Sequence, residues 1–280
     1  MMELQDGALL QQLTRIADAL DRLTPPAPAL PDLMSHPAYV WDTAGPRSVE
    51  RIFAPRLALM RGIDRQKQVV ASNVARLAAG LPAHDMLLWG ARGTGKSALL
   101  RACVTDAQAS GGHIALVQVG ADAVTSLPAL FAALRGVDRN FLVFLDDLGF
   151  AEGDSVTPRH LRSWLDGGVE ARPANVRLAV TSNRRAVLSR NAGEQDDPLN
   201  PRDAVDDQLA LADRFGLSLG FHALSQDDYL EILRGYAGEY ALDLDEGEAL
   251  EWSKRRGGRS GRVAWQFVTE IAGRAGQRLE

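Results

Sequence analysis

The stretch Gly90-Ala91-Arg92-Gly93-Thr94-Gly95-Lys96-Ser97 decides how the rest of the chain is read. It fits G-x-x-x-x-G-K-[ST], in which glycines let the backbone curl until several N–H groups face one phosphate. A helix opening on Ala98 adds the positive end of its dipole. In this pattern Lys96 reaches the β- and γ-phosphates of a nucleotide, and the Ser97 hydroxyl ligates Mg²⁺. Lysine is scarce: Lys67, Lys96 and Lys254 are the only three among 31 basic residues, so a lysine at the required place is informative. An arginine is not. The apolar run Met86–Trp89 before the loop reads as a strand, and Ala98–Gln108 after it reads as a helix. Cys103 shares the apolar face of that helix with Leu99 and Leu100 and reads as packing.

Working outward, strand-length apolar runs recur at Ile114–Val119, Phe141–Leu145, Leu178–Val180 and Leu217–Phe221. Runs this apolar suit strands covered on both faces of a parallel sheet. Between them, Leu127–Leu134, Pro158–Val169 and Asp203–Ala212 read as helices, and Asn191–Asp207 as a long polar loop. The alternation predicts an α/β domain with a doubly covered, mostly parallel sheet. After Phe221 the pattern is helical only, with Gln226–Tyr236, Glu246–Arg256 and Arg262–Ala272 as expected helices.

The run Phe141–Leu145 ends in Asp146-Asp147, which presents two carboxylates beside the phosphate loop. This is the Walker B arrangement: the first acid holds Mg²⁺ and the second can polarise the attacking water. Asp122, after the run Ile114–Val119, is a weaker candidate because it stands alone. An additional strand between the loop strand and the acid-bearing strand separates this pattern from simple nucleotide kinases. Thr181-Ser182-Asn183 closes the next run with uncharged polar residues, one of which can bring an amide to the γ-phosphate. Arg214 precedes the fifth run, and Arg259 and Arg262 open the last helix.

In this order the elements resemble the AAA+ P-loop ATPases. The stretches LMRGIDRQKQ, LLWGARGTGKSALL, FLDDLGFAEGD, EARPANVRLAVTSNRR, LADRFGLSLGF and RSGRVAWQFV, over about residues 57–270, look like an uncharacterised bacterial ATP-binding family, a domain of unknown function. The resemblance implies an AAA+ sheet followed by a small helical lid. It implies nucleotide contacts from Gly90 to Ala98, with Lys96 on phosphate and Ser97 and Asp146 on Mg²⁺. Asn183 matches sensor 1, Arg214 the arginine finger and Arg262 the sensor 2 arginine, with Arg259 as a fallback. Ile63 and Asp64 match the segment bordering the adenine. The chain departs from the general AAA+ pattern at Asp147, where glutamate is usual. Either the water sits closer, Glu152 substitutes, or hydrolysis is slow.

The expected domains are an N-terminal helical arm and proline-rich linker over 1–56, an AAA+ domain over 57–223 and a lid over 224–280. Leu9, Leu13, Ile16, Leu20 and Leu23 form a helical stripe expected to pack on its own domain, and Pro25, Pro26, Pro28 and Pro31 end it. Residues Leu57–Leu81 read as a further helix.

Composition narrows the function classes. Hydrophobic residues at 46% and charged residues at 24% exclude a disordered chain. No run reaches the roughly 18 apolar residues that span a bilayer. The acids near the N-terminus and the lone Cys103 suit a cytoplasmic protein without membrane contact. A net charge of −5 argues against coating nucleic acid. The cluster Lys254, Arg255, Arg256, Arg259 and Arg262 leaves a local nucleic-acid contact as a less favoured reading. Trp252 and Trp265 flank it and read as lid core. The five histidines have no metal-ligand spacing, so no structural metal is expected.

The function expected from these residues is Mg²⁺-dependent ATP hydrolysis in a homo-oligomer acting on an unknown client protein. The alternative is a slow or non-hydrolysing ATP-gated switch or adaptor that binds a partner protein or nucleic acid. A small-molecule kinase fits less well, because Asp122–Asp138 offers only a compact helix where an acceptor would bind.

Overall fold

A computed structural model describes residues 11–19, 31–43, 45–147, 165, 172–183 and 213–279. Within them, seven strands form one sheet: β1 (Ala38–Asp42), β2 (Gly45–Val49), β3 (Met86–Gly90), β4 (Ile114–Val119), β5 (Asn140–Leu145), β6 (Val176–Ser182) and β7 (Leu217–Phe221). Their order is β2-β1-β4-β5-β6-β3-β7. Every neighbouring pair is parallel except β1–β2. The helices are α1 (11–19), α2 (Asp64–Ala78), α3 (Lys96–Ala109), α4 (Leu127–Leu134), α5 (Gln226–Glu239), α6 (Glu246–Arg255) and α7 (Gly261–Arg274).

The sheet alternates strictly although both faces are apolar. In β5, Phe141, Val143 and Leu145 join the core under α4, while Leu142 and Phe144 join the core under α2 and α3. Strand β4 divides in the same way, with Ala115, Val117 and Val119 on the first face and Ile114 and Leu116 on the second. Burying such a side chain contributes roughly 1.5–3 kcal/mol, so a register slip in the central strands would be costly. Helix α2 answers with Val70, Val74, Leu77 and Ala78, and α3 with Leu99, Leu100, Cys103, Val104 and Ala107. Burial pushes the Cys103 thiol up to about 12, which fits packing rather than reactivity.

The strand that separates the loop strand β3 from the acid-bearing strand β5 is β6. The run that intervenes in sequence, β4, lies on the far side of β5. Asp122 thereby stands one strand further from the loop than Asp146, and its carboxylate accepts a 2.7 Å hydrogen bond from the Thr43 hydroxyl. It holds the β1–β2 hairpin.

That hairpin lies within the segment 1–56, where the sequence predicts only a helical arm and a proline-rich linker. Strand β1 pairs with β4 from Ala38↔Leu116 to Trp41↔Val119, and Tyr39 is 2% exposed. The Tyr39 hydroxyl donates to the Asp32 carbonyl at 2.6 Å, and Arg139 donates to the carbonyls of Met34 and His36 at 3.0 and 2.7 Å. The helix expected over Leu57–Leu81 is broken: a 3-10 turn at Leu57–Leu59 precedes α2, and Gly62 between them has φ +73°. In α1, Leu13 and Ile16 are each 55% exposed rather than packed on the domain. Of the other expected elements, Asp203–Ala212, Asn191–Asp207 and, apart from the helical Leu165, Pro158–Val169 lie outside the described residues through residue 212.

The lid has its own core, in which Tyr229, Leu233, Ala249, Phe267 and Val268 pack together. A capping box at Ser225 and Asp228 opens α5, Asp245 caps α6 and Ser260 caps α7.

Gly90 sets how closely the loop strand approaches β7. It has φ +131°, and a side chain there would sit 1.9 Å from the Phe221 carbonyl oxygen. Gly90→Ala should therefore lower stability by about 3 kcal/mol, read as a lower urea midpoint at unchanged slope. An unchanged midpoint would show that β7 yields at no cost.

Candidate functional site

Parallel pairing brings the C-terminal ends of β3, β5 and β6 to one edge, where such sheets bind ligands. Leu145 is level with Val180, and Trp89 with Ser182, so Gly90, Asp146 and Asn183 emerge together. The loop after β3 curls back on itself. Gly95 has φ +95° and caps α3, and the Thr94 hydroxyl donates to the Ala91 carbonyl at 2.8 Å. The Ala91 N–H donates to the Phe221 carbonyl.

Lys96 is 5% exposed and sits inside this curl. Its ammonium donates to the carbonyls of Gly90 at 2.9 Å and Ala91 at 2.8 Å, and to Asn183 Oδ1 at 3.1 Å. Burial holds its pKa below the usual lysine range, and the nearby carboxylates Asp147 and Asp146 work against that shift. The Asn183 amide is oriented by its two neighbours, since Oδ1 faces the ammonium and Nδ2 donates to Asp147 Oδ1.

Asp146 Oδ1 accepts from the hydroxyls of Ser97 at 2.6 Å and Thr181 at 2.7 Å. The Thr181 hydroxyl also accepts from the Asp147 N–H at 2.9 Å. Asp147 has φ +52°, a backbone conformation that costs a non-glycine residue about 1 kcal/mol or more. Its second carboxylate oxygen faces Arg92 Nη2 at 3.3 Å. Ser97 and Asp146 offer hard oxygen donors within one hydrogen bond of each other, a donor set that fits Mg²⁺ completed by phosphate and water.

These groups line a cavity of about 970 Å³ between the loop, the lid and the segment 51–63. Arg92 to Ala98, Asp146, Asp147, Asn183, Ile63 and Arg262 all face it. Gly90 and Ala91 act from behind, through their carbonyls on Lys96. Arg262 lies beside the loop, its Cβ 3.7 Å from where a Gly93 side chain would be. Arg259 does not line the cavity, and neither does Arg214, which is half-buried just before β7. Glu152, the alternative acid, lies outside the described residues.

Charge is locally reversed in this chain of net −5. Arg51, Arg56, Arg61, Arg92, Lys96, Arg101 and Arg262 line the cavity against Asp146 and Asp147. An excess of cations in a concave, partly dry site selects an anion.

Residues 34–275 match the model of the family described as "Protein of unknown function (DUF815)". The chain belongs to that family. Among solved structures, it is similar to RuvB, the Holliday junction branch migration motor of Thermotoga maritima, with 18% identity and a TM-score of 0.52 over 81% of this chain and 68% of that one. It is also similar to Aeropyrum pernix ORC1 in complex with DNA, with 18% identity and a TM-score of 0.53 over 81% of this chain and 66% of the other. Identity this low speaks for the fold alone, and the fold is the AAA+ architecture expected from the order of motifs. No curated protein matches the chain.

Three features of the site were not read from the sequence. Thr181 ties both acids together, yet its only signal was a place in the polar end of an apolar run. The segment 51–56 forms a cavity wall and is tied to the lid by an Arg56–Glu239 ion pair. The tryptophans also differ from expectation. Trp252 packs edge-on against Phe267 in the lid core, but Trp265 is 39% exposed and faces the cavity.

Thr181→Val keeps the shape of the side chain while stranding the Asp147 N–H. It should destabilise the protein by about 1–3 kcal/mol in urea unfolding. A loss below about 0.5 kcal/mol would mean that the hydroxyl does not organise the two acids.

Proposed function

We propose that this chain is a cytoplasmic, Mg²⁺-dependent ATP hydrolase that turns nucleotide turnover into movement of its lid against a client protein, at sites completed between copies of the chain. The observation that carries the reading is the convergence of Lys96, Ser97, Asp146 and Asn183, joined through hydrogen bonds, on one cationic cavity. In this reading the ammonium of Lys96 exchanges backbone carbonyls for β- and γ-phosphate oxygens, and Arg262 approaches the phosphates from the lid. Ser97 and Asp146 hold Mg²⁺, which when bound neutralises developing charge on the β- and γ-phosphates. Asp147 accepts the proton of the water that attacks the γ-phosphorus, as the bond to the bridging oxygen breaks and ADP leaves with phosphate. Asn183 orients that water.

Arg214 stays outside the cavity of its own chain, which supports a role on the ATP of a neighbour. Arginine fingers are worth on the order of 10³-fold or more in rate. Arg214→Ala should therefore bind ATP normally and lower kcat by about that factor. Mixing it with Lys96→Ala should restore part of the activity, because a mixed interface joins an intact loop to an intact finger. Phosphate release per subunit that is flat over a wide dilution range, with no recovery on mixing, would refute the shared site.

A second reading, a slow ATP-gated switch, is favoured by one observation. Both Asp147 carboxylate oxygens are engaged, one by Asn183 and one by Arg92, on a side chain one methylene shorter than glutamate. Steady-state phosphate release separates the two. Sustained turnover supports the hydrolase, and tightly held ATP with almost no phosphate release supports the switch.

A further inference from the structure

Arg262 and Trp265 stand three residues apart on α7, so their side chains leave one face of the helix about a turn from each other. Arg262 begins beside Gly93, which leaves Trp265 about one turn further along the cavity from the phosphate loop. There Tyr236 and Tyr240 meet the indole edge-on, with ring centroids 5.1 and 6.3 Å away. Such contacts hold a large ring in place at low entropic cost. A tryptophan serving only as lid core would be buried as Phe267 is, at 0% exposure, yet Trp265 is 39% exposed on the cavity wall. On the α/β side the cavity wall includes two aliphatic side chains beside the phosphate loop. They are Met60 and Ile63, their terminal carbons 3.3 and 3.8 Å from where a Gly95 side chain would be.

We propose that Trp265, braced by Tyr236 and Tyr240, is the stacking surface for the base of the nucleotide. The inference rests on the nucleotide-site reading above and assigns the base to a side chain that reading leaves unused. One helix then carries both the phosphate contact, Arg262, and the base contact, Trp265. The lid closes on the whole nucleotide rather than on its phosphates alone.

The test is calorimetric titration of the full chain with Mg²⁺–ATP and with Mg²⁺–tripolyphosphate, which has the phosphates and no base. Stacking on an aromatic side chain is worth enough that Trp265→Ala should weaken ATP binding about tenfold. Tripolyphosphate binding should change less than about twofold, and Trp265→Phe should recover most of the ATP affinity. Unchanged ATP affinity in Trp265→Ala, or equal losses for both ligands, would overturn the proposal. Should the alanine variant not fold, the difference in ATP-induced fluorescence change between wild type and Trp265→Phe decides, and no difference overturns it. Failure of the wild type to bind either ligand would instead overturn the nucleotide-site reading itself.

Discussion

A buried ammonium is the constraint around which this site is built. Lys96 is almost fully enclosed, and a charge so placed must be surrounded by acceptors. The carbonyls of Gly90 and Ala91 and the amide oxygen of Asn183 supply them. To aim two successive carbonyls at one point the chain must curl, and positive φ at Gly90, Gly93 and Gly95 permits that curl. In a loop of this kind such a curl leaves backbone N–H groups available to an anion at the start of the following helix. A phosphate that replaced the carbonyls would give the ammonium a charged partner and raise its depressed pKa.

Asn183 and Thr181 extend this local constraint into a network. Asn183 touches the lysine and Asp147, and Thr181 touches Asp146 and the backbone of Asp147. Both residues end the strand that lies between the loop strand and the acid-bearing strand. A change at the phosphate end can thus reach both acids through two side chains on one rigid element. The lid joins at Gly93, where Ser260 and Arg262 crowd the loop, and at the Arg56–Glu239 ion pair with the segment beside the hairpin.

The sequence made some of this legible and hid the rest, for physical reasons. Five strands were readable because parallel strands covered on both faces leave continuous apolar runs such as Phe141–Leu145. The β1–β2 hairpin was not, because its edge strand, Gly45-Pro46-Arg47-Ser48-Val49, is half polar and reads as linker. The phosphate loop was legible through its glycines and rare lysine. The spatial order of strands was not, since chain order puts β4 between loop and acids and the fold puts β6 there. Trp265 was misread because helical spacing alone does not tell a side chain facing a core from one facing a cavity.

The central claim is that the curl around Lys96 is a phosphate site, and titration of Mg²⁺–ATP into wild type and Lys96→Ala tests it most directly. Removing a charged hydrogen-bonding partner of the β- and γ-phosphates should weaken binding by about a hundredfold or more, with the fold intact by circular dichroism. Equal affinity in the two proteins would contradict the account.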